Sequence, residues 1–202
     1  MITKDKIILA AIDEFAEHGY QAATVRNICT RAGVNVAAVN YHFSGKAELY
    51  RRAIEKINAN KPKLPDAEQI VTDADIRVVM RKWIKAFVTK SGDEKIISNR
   101  QFEKIAYHAM LNPAEIFDEI FDHYIKPDIA SLERILKKCL PADTSDAVLR
   151  TRMFAILGSC TFYFFHYSLV DKISGSADFM EENIEMITDL ITAQSIIGLA
   201  IQ

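Results

Sequence analysis

The sequence predicts an all-α protein, and three observations carry that prediction. Apolar residues recur at helical spacing, as at Ile8, Ile12 and Phe15, and no stretch alternates with the period of a strand. Helix-start signals recur along the chain. The strong breakers are few: five prolines at 62, 65, 113, 127 and 141, and seven glycines.

Taken in order, these signals give about nine helices. The first runs over 3–18 and stops before Gly19. Thr24 can cap a helix over 25–32, and Gly33 supplies its left-handed stop. Asn35 can cap 36–42, and 46–60 follows Gly45 and ends at KPKLP (61–65), a short stiff hinge. Thr72 with Asp75 is a near capping box for 73–90, and a helix over 94–110 follows. Asn112 with Glu115, and Pro113 in the first turn, start 113–139, bent at Pro127. The last two helices are 144–171 and 179–200, the latter opened by Asp178 with Glu181.

At 202 residues, 50% apolar and 26% charged, the chain can bury a real core. That balance excludes a disordered tail, a collagen-like fibre or a disulfide scaffold. Cys29, Cys139 and Cys160 are far apart and lack CxxC spacing, so reduced thiols in a cytoplasm are expected. Charges interrupt the first apolar stretch, so no signal peptide is expected. From Met153 to Val170 there are 18 residues without a formal charge. Its polar residues and the lack of a second span favour a central helix buried on both sides over a membrane span.

The net charge of -2 hides an asymmetry. Residues 1–63 hold 10 Lys and Arg against 6 Asp and Glu, so the front is basic and the remainder acidic. A basic front is suited to a polyanion. Two short helices joined by the three-residue turn Gly33-Val34-Asn35 have helix-turn-helix spacing, with a second helix Val36–His42. The domains expected are 1–60, with the motif at about 24–43, and a helical body over 66–202.

IILAAIDEFAEHGYQAAT followed by TVRNICTRAGVNVAAVNYHFSGKAELY resembles the N-terminal domain of TetR-type transcriptional regulators, over roughly residues 3–55. The resemblance implies that Asn35, Val36, Ala37, Ala38, Asn40, Tyr41 and His42 are recognition positions and that Thr24, Arg26 and Lys46 meet the DNA backbone. The residue types suit those roles, since an asparagine amide pairs with adenine and alanine methyls pack on thymine methyls. Two departures stand out. Val36 stands where many members carry a lysine or other polar residue, and Ser44-Gly45-Lys46 replaces a serine directly before the lysine.

One such reader covers one half-site, so a symmetric homodimer on a palindromic operator is expected. Ala155, Gly158, Ser159, Ile187, Ile191 and Ile197 on the last two helices are the candidate interface, and the family resemblance implies the same two helices. The body is rich in aromatics. Trp83, Phe87, Phe102, Tyr107, His108, Phe121, Tyr124, Phe162, Tyr163 and His166 are candidates to line an effector cavity, against the alternative that they fill the core. His108, His123 and His166 lack HxxxH spacing, so neither a metal nor another cofactor is expected.

The function these features predict is a cytoplasmic, ligand-responsive, sequence-specific DNA-binding regulator, and the family resemblance implies a repressor released by a small molecule. Its partners are operator DNA, a second copy and an unidentified effector, with no membrane. The alternatives are a helical adaptor that binds protein, or an enzyme using the body as a pocket. No nucleophile–base pair, phosphate loop or paired carboxylate supports the enzyme.

Overall fold

The computed structural model describes residues 3–59, 63–89, 99–111 and 115–200. In chain order the helices are α1 (Thr3–Ala22), α2 (Val25–Ala32), α3 (Val36–His42), α4 (Lys46–Asn58), α5 (Asp73–Val88), α6 (Asn99–Leu111), α7 (Glu115–Ile120), α8 (Lys126–Cys139), α9 (Asp146–Phe165), α10 (Tyr167–Ser174) and α11 (Phe179–Ala200). A 3-10 turn lies at Ala67–Gln69 and a π-helical turn at Phe121–Ile125; no strand occurs among the described residues. The chain divides into two compact units, residues 1–61 with 91–125 and residues 62–90 with 126–202. The first division falls at the KPKLP run. The segment 91–125 joins the front unit, whereas the sequence reading gave everything from 66 onward to the body.

The reason for that difference is a shared core. Ile7, Ile12 and Phe15 of α1, Ile28 of α2, Val39 of α3 and Leu49 and Ala53 of α4 close on Ile105, Ile116 and Ile120 from α6 and α7. Phe15 and Tyr50 meet edge to face at 4.8 Å. Glu14 is 1% exposed inside this unit. Its carboxylate accepts from Asn27 Nδ2 at 2.9 Å and from an Arg31 terminal nitrogen at 3.4 Å. Arg31 also donates to Glu17 at 2.7 Å, which holds the Glu17 carboxyl below its ordinary range. On the far side, Arg51 Nε donates to both oxygens of Glu119, at 2.8 and 3.0 Å, tying α4 to α7.

The expected end of the first helix at 18 has a counterpart in the backbone. Gly19 leaves the helical region (φ 70, ψ 174), and the helix resumes to Ala22. A Cβ at Gly19 would lie 3.1 Å from the Cβ, Cγ and Nδ1 of His108 on α6.

The second unit is built on Trp83 and Ile84 of α5, Leu132, Ile135 and Leu136 of α8, Met153, Ile156 and Cys160 of α9, and Ile187 and Ile191 of α11. Trp83 satisfies its buried indole N–H by donating to Ser131 Oγ at 2.7 Å, and that hydroxyl donates to the Asp128 carbonyl at 2.8 Å. Arg81 bridges α5 to Asp189 and Glu185 of α11, at 2.6 and 2.7 Å, and Lys85 joins Glu185 as well.

Two expected helices are not continuous. The 113–139 stretch is α7, a π turn and α8 rather than one helix bent at Pro127. Pro127 has no N–H to offer the carbonyl of His123, four residues back, and the π turn lies directly before it. The expected start at Asn112 and Pro113 lies outside the described residues. The 144–171 stretch breaks at His166 (φ -121, ψ 25), with a bend of 71° between its two parts. Both the His166 N–H and its Nδ1 lie against the Phe162 carbonyl, at 3.0 and 3.2 Å. Nor is α9 buried on both sides. Leu149, Met153, Ile156 and Cys160 face the core, while Phe154 (62% exposed), Ala155 and Gly158 face outward. No single helix among the described residues is long and apolar enough to cross a membrane.

Candidate nucleic-acid interface

The helix-turn-helix is fixed by three local devices. Thr24 Oγ1 accepts the Asn27 N–H at 3.1 Å, which starts α2. Gly33 adopts the left-handed conformation (φ 68, ψ 35). Its N–H donates to the Thr30 carbonyl at 3.2 Å, and the Val34 N–H donates to the Cys29 carbonyl at 3.0 Å, which closes α2 with paired C-terminal bonds. Asn35 Oδ1 then accepts the Ala38 N–H at 2.9 Å and starts α3.

These caps leave α3 with two distinct sides. Val39 is fully buried and Phe43, just past the helix, is 4% exposed; both pack with Ile28 and Leu49. Outward stand Val36 at 44% exposure, Ala37, Asn40 and Tyr41 at 85%. Ala38 and His42 are half-buried, and the Tyr41 and His42 rings meet edge to face at 4.9 Å. Tyr41, with the Asn40 amide and Val36 near it, takes no part in the core of this unit. Thr24 and Arg26 are exposed at the start of α2.

Lys46 occupies a position that sequence reasoning did not foresee. Its ammonium donates to the carbonyls of Gln21 and Ala23, both at 3.2 Å, and lies 4.7 Å from the centre of the Tyr20 ring. Gly45 (φ 123) precedes α4 without a side-chain cap, so no hydroxyl stands at that helix start. Sequence reasoning also missed Glu14 and Asn27, which lock α1 to α2 behind the reader. The one available signal was a carboxylate set among Ala10, Ala11 and Phe15 on the apolar face of α1.

The ten effector candidates are divided between the two units. Trp83, Phe87, Phe162, Tyr163 and His166 belong to the second unit, and Phe102, Tyr107, His108, Phe121 and Tyr124 to the first. Trp83 is fully buried and stacks on Phe87 at 4.9 Å, and both pack in the core of the second unit. Phe162 stacks on His166 at 5.2 Å, and both are exposed. The Phe102 side chain lies outside the described residues. His108 lines a small cleft of about 40 Å³ with His18, Gly19, Tyr20, Tyr50, Ile116 and Phe117. Ligand pockets for drug-sized molecules run to hundreds of Å³. Burial, with Tyr20 alongside, pushes the Tyr50 phenol up to about 12. Among the described residues no group of three or more His, Cys, Asp or Glu is placed to hold a metal.

The dimer candidates divide too. Ile187 and Ile191 are each 2% exposed and are packed in the core of their own unit, so they offer nothing to a second copy. Ala155, Gly158 and Ile197 (63%) are exposed, Ser159 is half-buried, and Met186 (57%) and Leu190 (52%) stand outward beside the buried pair on α11.

Residues 7–53 match the family model described as bacterial regulatory proteins, tetR family, and residues 76–201 match that of the C-terminal domain of the HTH-type transcriptional dual regulator CecR. The dual regulator CecR of Shigella flexneri is 23% identical over 199 residues, covering 94% of this chain and 87% of that protein. The negative regulator IcaR of the biofilm operon icaADBC in Staphylococcus epidermidis is 40% identical over 52 residues, 26% of this chain and 28% of its own. Among solved structures, the hemolysin II transcriptional regulator HlyIIR shares the fold with a TM-score of 0.66 at 21% identity, covering 99% of this chain and 98% of that one. With the front matched over the whole helix-turn-helix and the body over residues 76–201, the chain belongs to the tetR family of bacterial regulatory proteins, DNA-binding transcription regulators, and carries a CecR-type C-terminal domain.

Proposed function

We propose that this regulator is a cytoplasmic repressor that binds a palindromic operator as a homodimer and is released by a small molecule bound through its body. The observation that carries the DNA half of this reading is the outer side of α3, with Val36, Ala37, Asn40 and Tyr41 exposed and the helix held by caps at Thr24, Gly33 and Asn35. A helix so presented fits a major groove, with Thr24 and Arg26 placed toward phosphates. Lys46 has one N–H left beyond its two carbonyl bonds, and it can meet a phosphate with that.

Dimerisation is supported by the outward apolar side chains of α9 and α11, Phe154, Ala155, Phe162, Met186, Leu190 and Ile197, which stay exposed among the described residues. Repression is supported by one relative, which is named a negative regulator, while another is named a dual regulator. Effector release rests on family membership alone. The 40 Å³ cleft is too small to be that site as it stands.

The test is binding of the purified chain to the DNA upstream of its own gene, titrated across salt, with and without candidate effectors. Saturable, sequence-selective binding that weakens steeply with salt is the expected result. No binding to any duplex at low salt by a folded dimer overturns the reading and favours a protein-binding adaptor.

A further inference from the structure

We infer that α3 reads A·T base pairs, using the Asn40 amide for adenine and the methyl groups of Val36 and Ala37 for thymine, and that Asn35 caps the helix without reading a base. This rests on the DNA-binding reading of the same face. Val36–His42 contains no lysine or arginine, the two side chains that grip guanine O6 and N7 bidentately. What α3 does present is apolar at its start and an amide one turn later, with the Tyr41 phenol exposed beside that amide and His42 half-buried.

A valine 44% exposed at the head of the helix is selective by what it cannot tolerate. Apart from the thymine C5-methyl and the smaller C5–H of cytosine, the major-groove edge is lined with donors and acceptors. Pressing Val36 against any of those strips it of water and returns no hydrogen bond. Against thymine, two apolar groups leave water together.

The two asparagines are separated by their bonding. Asn35 has its Oδ1 on the Ala38 N–H at 2.9 Å, so the acceptor half of its amide is held to the helix backbone. Adenine needs both halves, an acceptor for N6–H and a donor for N7. Asn40 is exposed and lies four residues after Val36, on the same side of the helix. Four residues rise about 6 Å, roughly two base-pair steps, so the adenine and the thymine fall close together in each half-site.

The experiment is selection of bound duplexes from a random pool by the full-length chain, followed by substitution of the selected site. Each half-site is expected to hold a thymine and an adenine within two or three positions. Replacing that thymine by deoxyuridine removes one methyl group and should weaken binding about fourfold. Val36→Ser should erase this sensitivity. Asn40→Ala should lower the preference for adenine at one position by about tenfold to a hundredfold, while Asn35→Ser, which keeps a cap, leaves every preference intact. Melting curves establish that each variant is folded. A half-site read as guanine at these positions, indifference to deoxyuridine throughout, or relaxed preference in Asn35→Ser overturns the inference and leaves the regulator reading standing. A pool that yields no enriched sequence removes both.

Discussion

Gly19→Ala tests whether the kink in α1 is a conformation that only glycine can hold. At φ 70 and ψ 174 the residue sits where an L side chain is strained, and its added Cβ would meet three atoms of His108 at 3.1 Å. Backbone strain of this kind costs about 1–3 kcal/mol. The narrower unfolded ensemble of alanine returns about 0.4–1 kcal/mol, and the contact with His108 adds a further cost. The net expectation is a loss of about 1–3 kcal/mol, or a fall in Tm of about 3–10 °C for a chain of this size. Urea melts of Gly19→Ala, His108→Ala and the double variant separate the two causes. His108→Ala removes Cγ and Nδ1 but keeps Cβ, so it should reduce the cost of the alanine without abolishing it. A Gly19→Ala variant within about 0.5 kcal/mol of the parent would refute the reasoning. So would complete rescue by His108→Ala, because the backbone term would then be absent.

Three further outcomes follow from the same structure. Glu14→Ala removes the buried acceptor that the Asn27 amide and Arg31 share and should cost about 0.5–1.5 kcal/mol in a urea melt, whereas Glu14→Gln keeps an acceptor and should cost less. Ser131→Ala leaves the Trp83 N–H without its acceptor and should cost about 1–3 kcal/mol; adding Trp83→Phe removes the donor as well, so the Ser131→Ala step should be cheaper in that background. Asp66, Asp75, Glu119 and Glu185 all hold their carboxyls below the ordinary range, through bonds to Arg134, to Thr72, to Arg51, and to Lys85 and Arg81. Folded-state values that are depressed stabilise the fold above the unfolded value and lose that contribution as the pH falls through the folded one. Tm should therefore hold steady above pH of about 5 and fall below about 4; a Tm that rises on acidification contradicts these pairings.

The reader was legible because what defines it is local. Thr24, Gly33 and Asn35 act within three to five residues of themselves, so α2 and α3 have the same ends in the structure as the sequence signals give. The same holds for Asp75, whose carboxylate takes the Thr72 N–H at 2.7 Å as the box spacing implies. Lys46 shows where such reading stops. Its type suits a phosphate, but its bonds to Gln21 and Ala23 join segments more than twenty residues apart, and no local pattern announces them. The sequence reading placed α6 in the body for the same reason, because Ile105 closes a core with Ile7 and Phe15 across the sequence.

The body was harder to read because a helix that is apolar all round carries no rotational phase. Its composition says that both sides are covered by something, but not which side faces its own chain. In α11 the sequence choice of Ile187 and Ile191 was one residue out of phase: they are core, while Met186 and Leu190 beside them are exposed. One residue is a 100° turn, enough to exchange an inner surface for an outer one. The two faces predict opposite responses to substitution. Ile187→Ala opens the core and should cost about 2–5 kcal/mol of folding stability. Phe154→Glu alters a ring already 62% exposed on α9, and should change the stability of a single chain by no more than about 0.5 kcal/mol. In a homodimer closed by that outer side it buries a charge instead, so sedimentation should shift from dimer to monomer while the helical circular-dichroism signal stays intact. A Phe154→Glu variant that remains dimeric at micromolar concentration would place the interface on another face, and the exposed apolar side of α9 would then need a different partner.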